Sequence, residues 1–344
     1  MDIDNINRAY DSFRVPGLED RYLPYSKSAK NLEVYQQNIF KSGFSEENRD
    51  LVCYKFGSGS TDVLIWSQMH GNETTGTKAL LDYMNLLFTN VTKSNHLLKS
   101  VSLYVIPVLN PDGSELFTRV NAKDVDLNRD AVDFKSLELQ FLKSILDQVQ
   151  PQYCFNLHDQ RNIFNPINHK LPATISFLAP SQSVKREVTD VRLKSMEIII
   201  AMNKYLQTVI PNQVGRYTDE FYPTATGDNF QKLGYPTILI EAGHYIDDLN
   251  RKHTRRFNFL AIAVALDYIA KGESHSFDPV EYFNIPENDT LFFDVIERAN
   301  TGFNTSSEDI AYLYDFEIQG DKSKPYLREE CRGDLSNKLG FNEL

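Results

Sequence analysis

The sequence predicts an α/β protein: a largely parallel or mixed sheet with helices on both faces, followed by a small β-rich region. Apolar strand-like runs alternate with segments of helical periodicity between residues 51 and 269. Residues able to do chemistry recur where those runs end, and an open α/β sheet binds its ligands at the carboxyl ends of its strands. After Gly272 no long helical pattern is evident, and 290–296 and 310–318 read as strands. The expected organisation is a main domain over 1–274 and a β-rich region over 275–344.

Taken in order, residues 1–45 are polar and rich in Tyr and Asn, with short helices expected near 6–13 and 29–40. Residues 51–56 and 62–68 read as two strands around Gly57-Ser58-Gly59-Ser60. That loop lacks the Lys-Ser/Thr ending of a phosphate loop and opens no helix, so it reads as a hairpin turn. Residues 79–87 begin a helix that ends near Thr89. The next strand, 101–108, runs into Asn110-Pro111-Asp112-Gly113, a turn signal, and a long loop to Asp130. Leu137, Phe141, Leu142, Ile145 and Leu146 share one helix face. Strands follow at 153–157, 174–179 and 237–240, with helices at 188–210 and 257–269.

With 344 residues there is room for one large core or two domains. The net charge of −11 argues against a nucleic-acid partner, which needs a Lys/Arg surplus. No run approaches the ~20 apolar residues of a membrane span, and the first residues lack the apolar core of a signal peptide. The cysteines, Cys53, Cys154 and Cys331, are odd in number and scattered, which fits a reducing compartment and not a Cys-based zinc knuckle. The cytoplasm is the expected location.

The chemistry centres on Gln68-Met69-His70-Gly71-Asn72-Glu73-Thr74, between a strand end and a helix start. Gly71 lets the backbone bend so that His70 and Glu73 converge on one cation. By itself His-x-x-Glu is as readily a buried His beside a Glu at a helix N-terminus. Later strand ends add His158, in Asn156-Leu157-His158-Asp159, and Glu241, in Ile240-Glu241-Ala242-Gly243. A lone His158 reads as a hydrogen-bonded core residue. Glu241 directly after an apolar run is costly to bury without a partner. Together the four are the parts of a hydrolytic zinc site: three ligands, an open position, and a carboxylate that takes the proton of the metal-bound water. In the loop between, Arg119 and Asn128-Arg129 suit a carboxylate or an oxyanion, although loop arginines are usually solvated.

The ordered set of His-x-x-Glu, Asn-Pro-Asp-Gly, Arg, Asp-Leu-Asn-Arg, Leu-His and Ile-Glu resembles the zinc metallocarboxypeptidase superfamily, from His70 to Glu241. The resemblance implies a mixed, mostly parallel eight-stranded sheet with helices on both sides. It implies one zinc on His70, Glu73 and His158, with Asn128 and Arg129 binding the terminal carboxylate of a peptide substrate. It implies Arg119 polarising the scissile carbonyl and Glu241 as general base. Unlike the digestive carboxypeptidases, this chain has Asn72 where they carry Arg, and a shorter stretch without Trp before the Asn-Arg pair. Their mobile tyrosine has two candidates in the right interval, Tyr217 and Tyr222, of which Tyr222 is carried forward as substrate-binding. Phe221, Thr224 and Ala225 are pocket candidates, and Arg161 is either a further anion contact or a surface ion pair. His-Gly-Asn-Glu is also similar to the succinylglutamate desuccinylase and aspartoacylase branch, which implies a zinc-dependent N-acyl amino acid deacylase as the alternative. A catalytically dead binding module is the third reading; it predicts no stoichiometric zinc.

Overall fold

The computed structural model describes residues 2–89, 91–272, 277–301 and 303–344. Fourteen strands run in chain order among these: β1 (Ile39–Phe44), β2 (Asp50–Phe56), β3 (Thr61–Ser67), β4 (Val101–Ile106), β5 (Tyr153–Asp159), β6 (Phe164–Pro166), β7 (Ile175–Leu178), β8 (Val214–Arg216), β9 (Thr237–Ala242), β10 (Asn288–Thr290), β11 (Phe292–Glu297), β12 (Asp309–Gln319), β13 (Lys322–Gly333) and β14 (Leu339–Glu343). Eight of them form one sheet in the order β1-β2-β4-β3-β5-β9-β7-β8. Its centre, β4-β3-β5-β9, is parallel, while β1-β2, β2-β4 and β9-β7 are antiparallel. This is the expected mixed sheet.

Strand periodicity divides the core into two layers. On β3, Val63 and Ile65 join the cluster beneath helices Thr75–Thr89, Asp190–Val209 and Lys252–Lys271. Leu64 and Trp66 point the other way, into the cluster beneath helix Leu137–Val149. A strand covered on both faces reads as a continuous apolar run, which is why 63–66 was legible.

The hairpin expected at Gly57-Ser58-Gly59-Ser60 does not form. β2 and β3 are not hydrogen-bonded to each other; both pair with β4, which lies between them. The loop is pressed onto the start of β4, where Ser58 N donates to Leu98 O at 2.9 Å and Ser102 Oγ donates to Gly59 O at 2.8 Å. A Cβ on Gly59 would lie 1.9 Å from the Ser100 carbonyl carbon. The glycines serve close approach of two backbones rather than a two-strand turn. The helix expected to reach residue 40 stops earlier, because β1 takes over at Ile39 as a half-exposed edge strand with a bulge between Ile39 and Lys41. A short helix, Pro111–Leu116, replaces part of the expected turn and loop, and another, Thr226–Lys232, forms where the sequence predicted no element.

The chain ends in a four-stranded sheet, β13-β12-β11-β14, joined to the rest through β10, which pairs with β6. The division expected after residue 274 falls within 273–276, outside the described residues. The N-terminal segment is pinned by a buried ion pair between Asp82 and Arg255. Arg255 Nε donates to Asp82 Oδ2 at 2.8 Å, and its Nη atoms reach the carbonyls of Val15 and Leu18 at 3.0 and 3.1 Å. Tyr10 Oη and Val15 N complete the Asp82 carboxylate at 2.6 and 2.8 Å. These bonds bring residues 20–22 to the carboxyl end of the sheet.

Candidate metal and substrate site

The turn that carries His70 is fixed by backbone contact. Gln68 has φ of 55°, and its side-chain Nε2 donates to Gly71 O at 2.8 Å and Ser114 Oγ at 2.9 Å. A Cβ on Gly71 would lie 1.9 Å from the carbonyl carbon of Gly113, and one on Gly113 would lie 2.6 Å from Val120 O. The two glycines let Gln68–Thr74 and the Asn110-Pro111-Asp112-Gly113 helix start lie backbone on backbone. The sequence could not disclose that these two motifs support each other. Asn110 caps the helix by accepting from Gly113 N at 2.8 Å, and its Nδ2 donates to Met69 O at 3.1 Å.

His70, Glu73 and His158 converge: one ligand atom from each lies within 4.8 Å of the others. His70 Nδ1 is 2.7 Å from Glu73 Oε1 and His158 Nδ1 is 2.8 Å from Glu73 Oε2. Both imidazoles are buried. Burial alone lowers the pKa of His70, but the charge of Glu73 and the hydrogen bonds to Asp126 and Glu73 outweigh it and push the ring up to about 9. Burial prevails for His158 and lowers it. The Glu73 carboxylate is held well below the usual range by the two imidazoles despite its burial.

Asp126 orders the ligands from behind. Its Oδ1 is 3.0 Å from His70 Nε2, and its Oδ2 accepts from Arg119 Nε at 3.1 Å. A proton on His70 Nε2 leaves the Nδ1 lone pair for a cation, and such outer carboxylates orient metal-bound imidazoles. Burial would raise Asp126, but His70 and Arg119 hold it far below the ordinary range. In the sequence Asp126 stands out only as the first residue of Asp-Leu-Asn-Arg. Its i+2 spacing to Asn128 is the signal, since Asn128 N also donates to Asp126 Oδ1, at 2.9 Å. The donor set, two Nδ1 atoms and one carboxylate with a second carboxylate behind one ring, fits zinc.

Arg119 is half-exposed and reaches the triad, with Nη1 3.4 Å from Glu73 Oε1. Glu241 lies on β9 directly across from His158 on β5. Among the described residues its carboxylate has no hydrogen bond or ion pair. Burial, then the charges of Glu73 and Asp159, raise its pKa well above the ordinary value.

A separate cleft of about 350 Å³ is lined by Asn128, Arg129, Asn156, Tyr217, Tyr222 and Asp228 among others. Asn128 Oδ1 accepts from Thr226 N at 3.0 Å, which fixes its amide at the rim. Arg129 lies over the exposed ring of Tyr222, 4.9 Å from its centroid. Tyr217 is packed edge-on against Phe164; burial and then the charges of Glu241 and Glu73 raise its phenol. Asp228 accepts from Tyr222 N at 2.9 Å, and burial pushes it up to about 6. Of the three pocket candidates Ala225 lines this cleft and Phe221 and Thr224 do not. Arg161 pairs with Glu330 of β13, the surface ion pair that was its plain alternative.

Residues 31–175 match the zinc carboxypeptidase family. That segment holds His70, Glu73, Arg119, Asp126, Asn128, Arg129 and His158, but not Glu241. Carboxypeptidase E of Caenorhabditis elegans is 32% identical over 127 residues, 30% of this chain and 27% of that protein. Probable carboxypeptidase 2 of Arthroderma benhamiae is 30% identical over 136 residues, 37% of this chain and 25% of that protein. The matched part thus spans about a quarter of these relatives. Among solved structures, carboxypeptidase A from Helicoverpa armigera superposes with a TM-score of 0.57 at 15% identity, covering 79% of this chain and 80% of that one. A metallo-carboxypeptidase from Burkholderia cenocepacia does so with a TM-score of 0.57 at 16% identity, covering 74% and 71%. At such identities the likeness is one of fold. Purified without added metal, the protein is expected to carry about one zinc per chain by elemental analysis; a content far lower, with no uptake on reconstitution, would remove the site. Residues 31–175 are thus similar in sequence to zinc carboxypeptidases, and most of the chain shares the fold of solved metallocarboxypeptidases.

Proposed function

We propose that the protein is a zinc-dependent carboxypeptidase that hydrolyses the C-terminal amide bond of a peptide. The observation that carries the reading is that Asn128 and Arg129 line one cleft with Tyr217, whose phenol lies within reach of the charges of Glu241 and Glu73. Zinc held by those three would supply a Lewis acid and a bound water acidified to a pKa of about 7. The remaining work falls to the chain. Asp126 keeps His70 in the Nε2–H tautomer. Glu241 receives the proton of the attacking water and returns it to the leaving nitrogen. Arg119 donates to the scissile carbonyl oxygen as negative charge develops there. Asn128 and Arg129 hold the substrate's α-carboxylate by charge-assisted hydrogen bonds, with Tyr222 against the guanidinium.

That grip fixes the terminal carboxylate at a set distance from the reacting centre, so only the adjoining amide reaches the triad. A peptide with a free C-terminus is expected to lose one residue while its C-terminal amide stays intact. Amidation removes the anion and leaves Arg129 unpaired, the kind of mismatch that discriminates strongly. Mass spectrometry of matched free and amidated peptides decides it, and equal cleavage would end the carboxylate-binding role.

One observation favours the deacylase alternative. A cleft of about 290 Å³ that Glu73 of the triad lines is walled by Leu313, Tyr314 and Phe316 of β12 and by Arg328 of β13. A wall there suits a short acyl part better than a long peptide. Exclusive hydrolysis of N-acyl amino acids would replace the peptidase reading and leave the chemistry at the triad unchanged.

A further inference from the structure

The walled cleft holds an arginine whose donors are unused. Arg21 lines it together with Asn72, Glu73 and Arg119, so it shares a cavity with Glu73 of the triad. Its backbone is anchored beside a metal-ligand position, since Thr74 Oγ1 donates to Arg21 O at 2.7 Å. The C-terminal sheet is fastened to the preceding residue: Ser323 N and Oγ donate to Asp20 Oδ1 at 3.0 and 2.6 Å. The Arg21 guanidinium carbon lies 5.1 Å over the centroid of Phe316, a ring of that same sheet. Among the described residues the guanidinium has no hydrogen bond and no ion pair.

The other charges of the cleft are engaged. Arg251 donates to Ala242 O at 2.6 Å and pairs with Asp159 at 3.2 Å. Arg328 pairs with Glu330 at 3.0 Å and Asp315 at 3.5 Å, and Arg161 pairs with Glu330. Asp294 accepts from Asn162 Nδ2 at 3.0 Å and Tyr314 N at 2.8 Å. Arg21 is left as a partly buried cation with no carboxylate paired to it, since Asp159, Asp294 and Asp248 act on it only through space, and such a cation is costly. Burial, with the like charge of Arg251, pushes it down to about 9. Five fixed N–H donors in one plane match a carboxylate.

We propose that this cleft is an anion subsite in which Arg21 binds a carboxylate carried by the acyl side of the substrate. The assignment of sides rests on the proposed function: Arg129 takes the terminal carboxylate in the 350 Å³ cleft, so the acyl side falls in the 290 Å³ one. The carboxylate belongs either to an acidic penultimate residue or to a dicarboxylic acyl group, because the chemistry at Arg21 is the same.

Two substrate pairs test it, each carried across a panel of leaving residues: acetyl-Glu-X against acetyl-Gln-X, and N-succinyl-X against N-butyryl-X. The zinc-loaded protein is expected to favour the anionic member of at least one pair by roughly tenfold or more in kcat/KM. Preference in the first pair identifies an acidic residue, and in the second a dicarboxylic acyl group. Arg21→Met should abolish the preference and Arg21→Lys should retain part of it, which separates loss of recognition from misfolding. No preference in either pair, or a preference that survives Arg21→Met, overturns the subsite. Failure to hydrolyse any member would instead sink the hydrolase reading. Calorimetric titration of the same proteins with succinate then decides the subsite: weakening of roughly tenfold in Arg21→Met upholds it, and equal affinity overturns it.

Discussion

Glu241→Gln is expected to keep its zinc while losing about 10²–10⁴-fold in kcat, the usual contribution of a general base. The amide has the shape of the carboxylate but cannot accept the water's proton. Glu241 sits on β9 opposite His158, outside the triad, and its carboxylate ties no other part of the fold. The substitution should therefore cost little stability, and replacing an unpaired buried carboxylate by a neutral amide can even raise it. Paired measurements of zinc content and turnover separate the outcomes. Near wild-type turnover would make Glu241 a structural residue and require another base. Loss of zinc would instead make Glu241 part of the metal's support.

Arg119→Ala and Arg129→Ala are expected to diverge kinetically. Arg119 acts on charge that appears only in the transition state, so its loss should lower kcat and kcat/KM together, by about 3 kcal/mol on analogy with a lost oxyanion donor. Its Nε–Asp126 bond at 3.1 Å adds a second route to the same loss, since Asp126 orients His70. Zinc affinity of Arg119→Ala reports that second route separately. Arg129 holds a carboxylate equally in ground and transition states, so its loss should raise KM and spare kcat. Among the described residues its side chain makes one hydrogen bond, to Asn128 O at 2.7 Å, and it stacks over the ring of Tyr222. Indistinguishable kinetic effects from the two substitutions would contradict these roles.

Much of this site was legible in the chain itself. The run 63–66 is apolar on both faces because β3 is covered on both sides, whereas on β9 Ile238 and Ile240 face the core and Leu239 lines the 350 Å³ cleft. A chemical residue directly after such a run must stand at a strand end, so His70, His158 and Glu241 could be placed before any contact was known. The family resemblance supplied the roles, and it rested on the ordered motifs rather than on any one of them. Local signals failed where the partner was distant. Gly57-Ser58-Gly59-Ser60 carries turn chemistry, yet β4, some forty residues later, inserts between the two strands it was expected to join. β1 is a half-exposed edge strand whose pattern is too polar to stand out from the helix before it. Asp126 gains its part from Nε2 of a residue 56 positions away. Arg21 lies in a polar stretch with no motif; only the Asp82–Arg255 anchor and the C-terminal sheet bring it beside Glu73. Periodicity and burial are properties of neighbouring residues and can be read along a chain. Which unpaired charge faces which cleft depends on packing between segments far apart in sequence, and only the tertiary structure decides it.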